Sequence, residues 1–135
     1  MSPAERARFL GGLLRAPYAL GGDGPARFDC WGLAVAVERD LFARALPRRD
    51  HGFAAAVLAM REARWRRVAG PPVDGDLVLA GPAQARHIGV WLAPEGGVLH
   101  AYEGVGVVFE RPAVMMARGF AQLTFYRPAK PRAIA

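Results

Sequence analysis

Arg27-Phe28-Asp29-Cys30-Trp31-Gly32-Leu33 is the stretch on which the reading of this chain turns. Asp29 suits the residue before a helix, where its carboxylate can accept from the unpaired amides of the first turn. Downstream, Leu33, Val37, Leu41 and Ala45 recur every four residues and mark one helical face. The pattern predicts a helix from about Cys30 to Leu46, stopped by Pro47. Cys30 then falls in the first turn, where unpaired N–H groups and the helix dipole favour an anion and are expected to lower a thiol pKa. It is the only cysteine of the chain. No intrachain disulfide is possible, which leaves a buried structural thiol, a metal ligand or a nucleophile.

Upstream, Ser2-Pro3-Ala4-Glu5 predicts a helix start: Ser2 can cap, Pro3 fits the first helical position and Glu5 can close a capping box. Phe9, Leu10, Leu13 and Leu14 give that helix an apolar face, and it should end before Pro17. A loop punctuated by Gly and Pro then leads to Asp29. Past Pro47, a third helix is expected over about Phe53 to Arg61. After Arg64 the pattern changes to short segments rich in β-formers and parted by turn residues: Trp65–Val68, Asp76–Ala80, Ile88–Ala93, Gly97–Tyr102, Val105–Glu110 and Leu123–Arg127. Pro94-Glu95-Gly96-Gly97 and Glu103-Gly104 read as hairpin turns. Helices first and an antiparallel meander after them make an α+β chain.

The chain has 135 residues, 53% hydrophobic and 22% charged, which suits one globular domain with a core of its own. The domain is expected over residues 1–127, with a tail over 128–135. The formal net charge is +6, and every basic residue but Lys130 is Arg. The arginines are scattered, apart from Arg61, Arg64, Arg66 and Arg67, and no nucleic-acid motif accompanies them, so no nucleic-acid partner is expected. No apolar run nears the ~20 residues of a membrane span. Met1-Ser2-Pro3-Ala4-Glu5-Arg6 lacks the pattern of a secretory signal. A protein of this kind acting outside its producing cell would need another carrier.

Two histidines, His87 and His100, fall in strand segments. Gly89 shares a strand face with His87 and leaves room beside it. If the hairpin register allows, His100 lies beside His87 on the next strand and can hold one of its ring nitrogens, leaving the other for Cys30. Each residue also has an ordinary reading: an inert buried thiol, and two strand histidines on exposed faces. Tyr18 could donate its hydroxyl to an oxyanion, with the Cys30 amide as second donor; an ordinary packing role is the alternative. His51 reads as a residue of a helix cap. A zinc site from Cys30, His51, His87 and His100 lacks metal-ligand spacing, so neither metal nor cofactor is expected.

In order, Ala16-Pro17-Tyr18-Ala19-Leu20-Gly21-Gly22, Phe28-Asp29-Cys30-Trp31-Gly32-Leu33, Gly75-Asp76-Leu77-Val78, His87-Ile88-Gly89-Val90-Trp91-Leu92 and Val98-Leu99-His100-Ala101 resemble the NlpC-type cell-wall peptidases. These are bacterial members of the papain-like cysteine peptidases. The resemblance implies a papain-like core, with the nucleophile at a helix N-terminus packed on an antiparallel sheet. It implies Cys30 as nucleophile, His87 as base and acid, and His100 as the orienting residue. Tyr18, Asp29 and Trp31 would lie on the oxyanion and substrate side. The implied substrate is the stem peptide of peptidoglycan, cut through an acyl-enzyme without a metal.

Trp31 departs from the family pattern, which usually has Ser after the cysteine, and this leaves the bond cut open. An aromatic there resembles the versions in phage tails and gene transfer agents. That subgroup implies hub or tip proteins of a phage-like tail as partners, and delivery of a cytoplasmically made enzyme to a recipient's periplasm. An amidase or acyltransferase on the same core is a competing reading, as is a non-catalytic component of a tail tip.

Overall fold

A computed structural model describes residues 1–48, 52–81 and 86–129. Helix α1 spans Pro3–Leu13, with the expected capping box: the Glu5 amide donates to Ser2 Oγ, and the Ser2 amide donates back to the Glu5 carboxylate. Helix α2 is Cys30–Phe42 and α3 is Phe53–Glu62. Strands β1 (Trp65–Val68), β2 (Leu77–Gly81), β3 (His87–Leu92), β4 (Gly97–Tyr102), β5 (Gly106–Glu110) and β6 (Ala121–Pro128) form one sheet, and a short helix α4 (Pro112–Ala117) joins its last two strands.

The α+β expectation holds, and the sheet is antiparallel throughout. Its order, β1-β6-β2-β3-β4-β5, is not a pure meander: β6 returns across the sheet and inserts between β1 and β2. Helix α2 packs on one face, where Phe28, Leu33 and Val37 meet Leu77, Ile88, Val90 and Leu99 in the main core. A smaller cluster of Val78, Val98 and Met115, edged by Phe120, lies where α4 packs. Residues 130–135 of the expected tail, and His51, lie outside the described residues. Pro128 itself pairs with Trp65 at the end of β6.

Helix α2 stops four residues short of its expected end. Ala43 takes a left-handed backbone (φ 53°) and the Arg44 amide returns to the Glu38 carbonyl. The cause is tertiary. The Trp65 indole donates to the Ala45 carbonyl at 3.2 Å and the Trp31 indole to the Pro47 carbonyl at 2.9 Å. Both carbonyls are drawn out of helical geometry and find buried donors elsewhere.

The candidate active site

Cys30 is the first residue of α2, and Asp29 is its cap. Asp29 Oδ1 accepts from the Gly32 amide at 2.7 Å and Oδ2 from the Gly21 amide at 2.8 Å, so one carboxylate ties the loop to the helix start. Arg48 grips the same carboxylate from the other side, with Nη1 3.0 Å from Oδ1. Gly32 allows this closeness: a Cβ there would collide with the Gly22 carbonyl oxygen and come within 2.8 Å of Asp23 Cα. The residues flanking the cysteine thus place it rigidly, and Asp29 is spent on anchoring.

A cavity of about 420 Å³ opens over Cys30. Tyr18, Trp31, Phe53 and Arg86 are among the residues that line it. The Tyr18 phenol is pushed up by burial, by Cys30 once that thiol ionises, and by the Asp29 charge, which keeps its O–H a donor. Trp31 is buried; its indole is tethered to Pro47 and meets the edge of Phe53, with ring centroids 5.4 Å apart. It therefore fixes the cavity wall between α2 and α3.

The histidines do come together. Gly89 pairs with His100 in the β3–β4 register. A Cβ on Gly89 would lie 3.1 Å from His100 Cβ and 3.0 Å from the Leu99 carbonyl, so the glycine makes room for the neighbouring strand. Its partner His100 and its neighbour His87 share one sheet face. His87 Nε2 and His100 Nδ1 are 2.7 Å apart. This leaves Nδ1 as the ring nitrogen of His87 that His100 does not engage. Phe120 stacks on the His87 ring at 4.3 Å, and Tyr102 stacks on the His100 ring at 5.2 Å.

Two members of this cluster have no sequence-level forecast. His100 Nε2 lies 2.8 Å from Glu110 Oε1, and Arg118 Nε donates to Glu110 Oε2 at 2.6 Å. Glu110 ends β5, and Arg118 closes the unforeseen helix α4, which also delivers Phe120. The overlooked signal was local: Pro112 stands at a first helical position and Gly119 just past the end.

Cys30 reaches β3 through the backbone. The Ile88 amide, next after His87, favours the thiolate, as do the Trp31 and Cys30 amides. Burial, with the Asp29 charge, outweighs them and pushes the thiol up. This reverses the lowered pKa expected of a helix N-terminus. No hydrogen bond joins the thiol to His87 among the described residues. His87, 4% exposed, is pushed down to about 3 by burial and by His100. Burial lowers His100 as well, against the opposing pull of Glu110. Near neutral pH the resting site therefore holds a neutral thiol and neutral imidazoles.

The sequence model of the NlpC/P60 family matches residues 15–122, a span that holds Tyr18, Cys30, both histidines, Glu110 and Arg118. Among solved structures the chain is similar to the crystal structure of the NlpC/p60 domain of the peptidoglycan hydrolase SagA. The two are 21% identical, with a TM-score of 0.59 over 93% of this chain and 98% of that one. At that identity the likeness speaks for the papain-like α+β fold. A search of curated protein sequences finds no significant match. The family match covers most of the chain and the whole of the candidate site, and the protein belongs to the NlpC/P60 family.

Proposed function

We propose that this protein is a cysteine peptidase that hydrolyses amide bonds in peptidoglycan stem peptides. The observation that carries the reading is a lone thiol at a helix N-terminus, in a cavity, beside the strand that bears the His87–His100 pair. In this reading Cys30 Sγ attacks the carbonyl carbon while His87 takes the thiol proton, because neither group is charged beforehand. The carbonyl oxygen becomes an oxyanion, met by the Cys30 amide and the Tyr18 hydroxyl. The carbon–nitrogen bond then breaks, and the amine leaves with the proton from His87. Water, deprotonated by the same imidazole, hydrolyses the thioester and restores the thiol.

Trp31 supports a narrower assignment. Its aromatic side chain after the cysteine is similar to the versions carried by phage tails and gene transfer agents. We infer that a phage-like tail carries this enzyme, on a hub or tip protein, to the recipient's wall. Mass spectrometry of purified particles from the producing strain should then find the chain at tail stoichiometry; its absence from every particle fraction would remove this assignment and leave the peptidase.

The test of the peptidase is digestion of purified peptidoglycan by the wild type and by Cys30→Ala, with fragments identified by mass spectrometry. New amino termini within stem peptides, from the wild type alone, are expected. Intact stem peptides released from sugar would identify an amidase. Transfer of an acyl group to an added amine would identify an acyltransferase. No product from a folded wild type would favour a structural tail component.

A further inference from the structure

The chain from His87 through His100 and Glu110 to Arg118 has a direction, and the direction follows from one end. A neutral imidazole has one N–H donor and one acceptor nitrogen. The carboxylate of Glu110, ion-paired to Arg118, accepts only. Among the described residues His100 Nε2 has no partner but Glu110, at 2.8 Å, so the hydrogen of His100 must sit on Nε2. His100 Nδ1 is then an acceptor. The 2.7 Å contact to His87 Nε2 needs one hydrogen, which must come from His87. With its hydrogen on Nε2, His87 has a bare lone pair on Nδ1.

The reverse arrangement is the one the carboxylate forbids. If His100 carried its hydrogen on Nδ1, it would donate to His87 Nε2, and the hydrogen of His87 would move to Nδ1. That ring could not take a proton from a thiol through Nδ1. His100 Nε2 would also set its lone pair against Glu110, two acceptors 2.8 Å apart in a site closed by Tyr102 and Phe120. Among the described residues, nothing else facing the histidines chooses between the two directions. Phe120 offers no acceptor. Tyr102 presents its ring face to His100, and its hydroxyl has no hydrogen-bond partner among the described residues.

We propose that Glu110, steered by Arg118, is a positioning residue that fixes the tautomers of both histidines and so makes His87 Nδ1 the base. The proposal rests on the cysteine-peptidase reading for its kinetic consequence, but not for its structural one. Arg118 has a separate part in it. Its Nε already donates to Glu110 Oε2 at 2.6 Å, so in Glu110→Gln the guanidinium favours the amide oxygen on its own side and turns the NH₂ toward His100 Nε2. An NH₂ there demands an acceptor, and both rings must reverse.

The experiment is imidazole nitrogen NMR on ¹⁵N-histidine protein at neutral pH, with signals assigned by replacing each histidine in turn and kinetics followed on peptidoglycan fragments. The wild type is expected to show Nε2–H for His87 and His100. Glu110→Gln is expected to show Nδ1–H for both, with kcat down on the order of 100-fold or more and KM little changed. In Glu110→Gln/Arg118→Met the amide can turn its oxygen to His100, so the Nε2–H forms return and kcat recovers about tenfold over the single variant. Nδ1–H rings in the wild type, Nε2–H rings kept in Glu110→Gln, or a double variant no better than the single would each overturn the proposal. If the wild type cuts no peptide, the peptidase reading fails, while the ring tautomers still decide this one.

Discussion

Glu110 and Glu38 are both glutamates withdrawn from water, and their surroundings are opposite. Glu110 has an acceptor bond from each side, His100 at 2.8 Å and Arg118 at 2.6 Å. Glu38, on α2, is fully buried, and among the described residues neither of its oxygens has a hydrogen-bond partner; Arg44 Nη1 lies 3.6 Å away. Burial pushes Glu38 up to about 8, and Arg44 only partly offsets that. A close ion pair would have pulled it down, so desolvation wins over the attraction. The carboxylate in the site is held by geometry that gives it work, whereas the one in the scaffold is a cost carried by the fold.

Replacing each glutamate by Met breaks the comparison most directly, and Glu38→Met should have the larger effect. Between its ordinary 4.5 and about 8, folded Glu38 keeps a proton that the unfolded chain has released, so stability falls as pH rises through that window. At pH 7 the deficit is about 3 kcal/mol. Glu38→Met removes it and fills the space with an apolar chain of similar length. Urea unfolding should show a gain of about 3 kcal/mol at pH 7, shrinking as pH falls toward 4.5. A loss of stability at both ends of that range would mean that Glu38 is a working ion pair.

The histidines slope the other way. His87 titrates near 3 when folded and near 6.5 when unfolded, so the unfolded state binds the extra proton and stability falls as pH drops from 6.5 to 3. By pH 5 the loss is roughly 2 kcal/mol from His87 alone, and His100 adds to it in the same direction. In the wild type the Glu38 slope masks part of this fall. Measured in Glu38→Met the acid slope stands alone, and His87→Gln in that background should flatten it. An unchanged slope would assign the acid sensitivity elsewhere.

Glu110→Met is the mirror of the first substitution, with the opposite sign. It orphans His100 Nε2 in a buried site, while Arg118, 43% exposed, can turn to water. The expected cost is about 1–2 kcal/mol. A gain in stability, like that at Glu38, would erase the distinction between the two glutamates.

The sequence showed the parts of this contrast unequally. Caps were legible because they are local: Ser2 with Glu5, and Asp29 with the amides that follow, need only the neighbouring residues. The bounds of β4 were legible because Gly97–Tyr102 is flanked by turn residues on both sides. His87 and His100 could be named, but their meeting depended on a register that Gly89 permits only through contacts with β4. Glu110 and Arg118 were not legible. An acid ending a strand, with an arginine eight residues on, reads as a solvated pair until α4 folds the chain back. The direction of the Cys30 shift was missed for the same reason: helix-terminal amides are visible in a sequence, whereas burial under a sheet is not. Nothing near Glu38 in sequence announces its burial.

The smallest effect is the sharpest test of the comparison. Arg44 Nη1 lies 3.6 Å from Glu38 Oε1, donates to the Gly75 carbonyl at 3.2 Å, and the guanidinium lies 5.4 Å from the Phe42 ring centre. If Glu38 is protonated at neutral pH, Arg44→Met breaks no ion pair. It loses one half-exposed hydrogen bond and a cation–π contact, and Met keeps the stem that covers Phe42. The expected cost at pH 7 is less than about 1 kcal/mol. Were Glu38 ionised, the same change would strand a buried charge and cost about 3–5 kcal/mol. The two readings diverge further above pH 8, where a protonated Glu38 must finally give up its proton. There Arg44 becomes its only nearby cation among the described residues, so the cost of Arg44→Met should grow with pH. A cost that is large at pH 7 and flat above it would place both glutamates in one class and end the contrast.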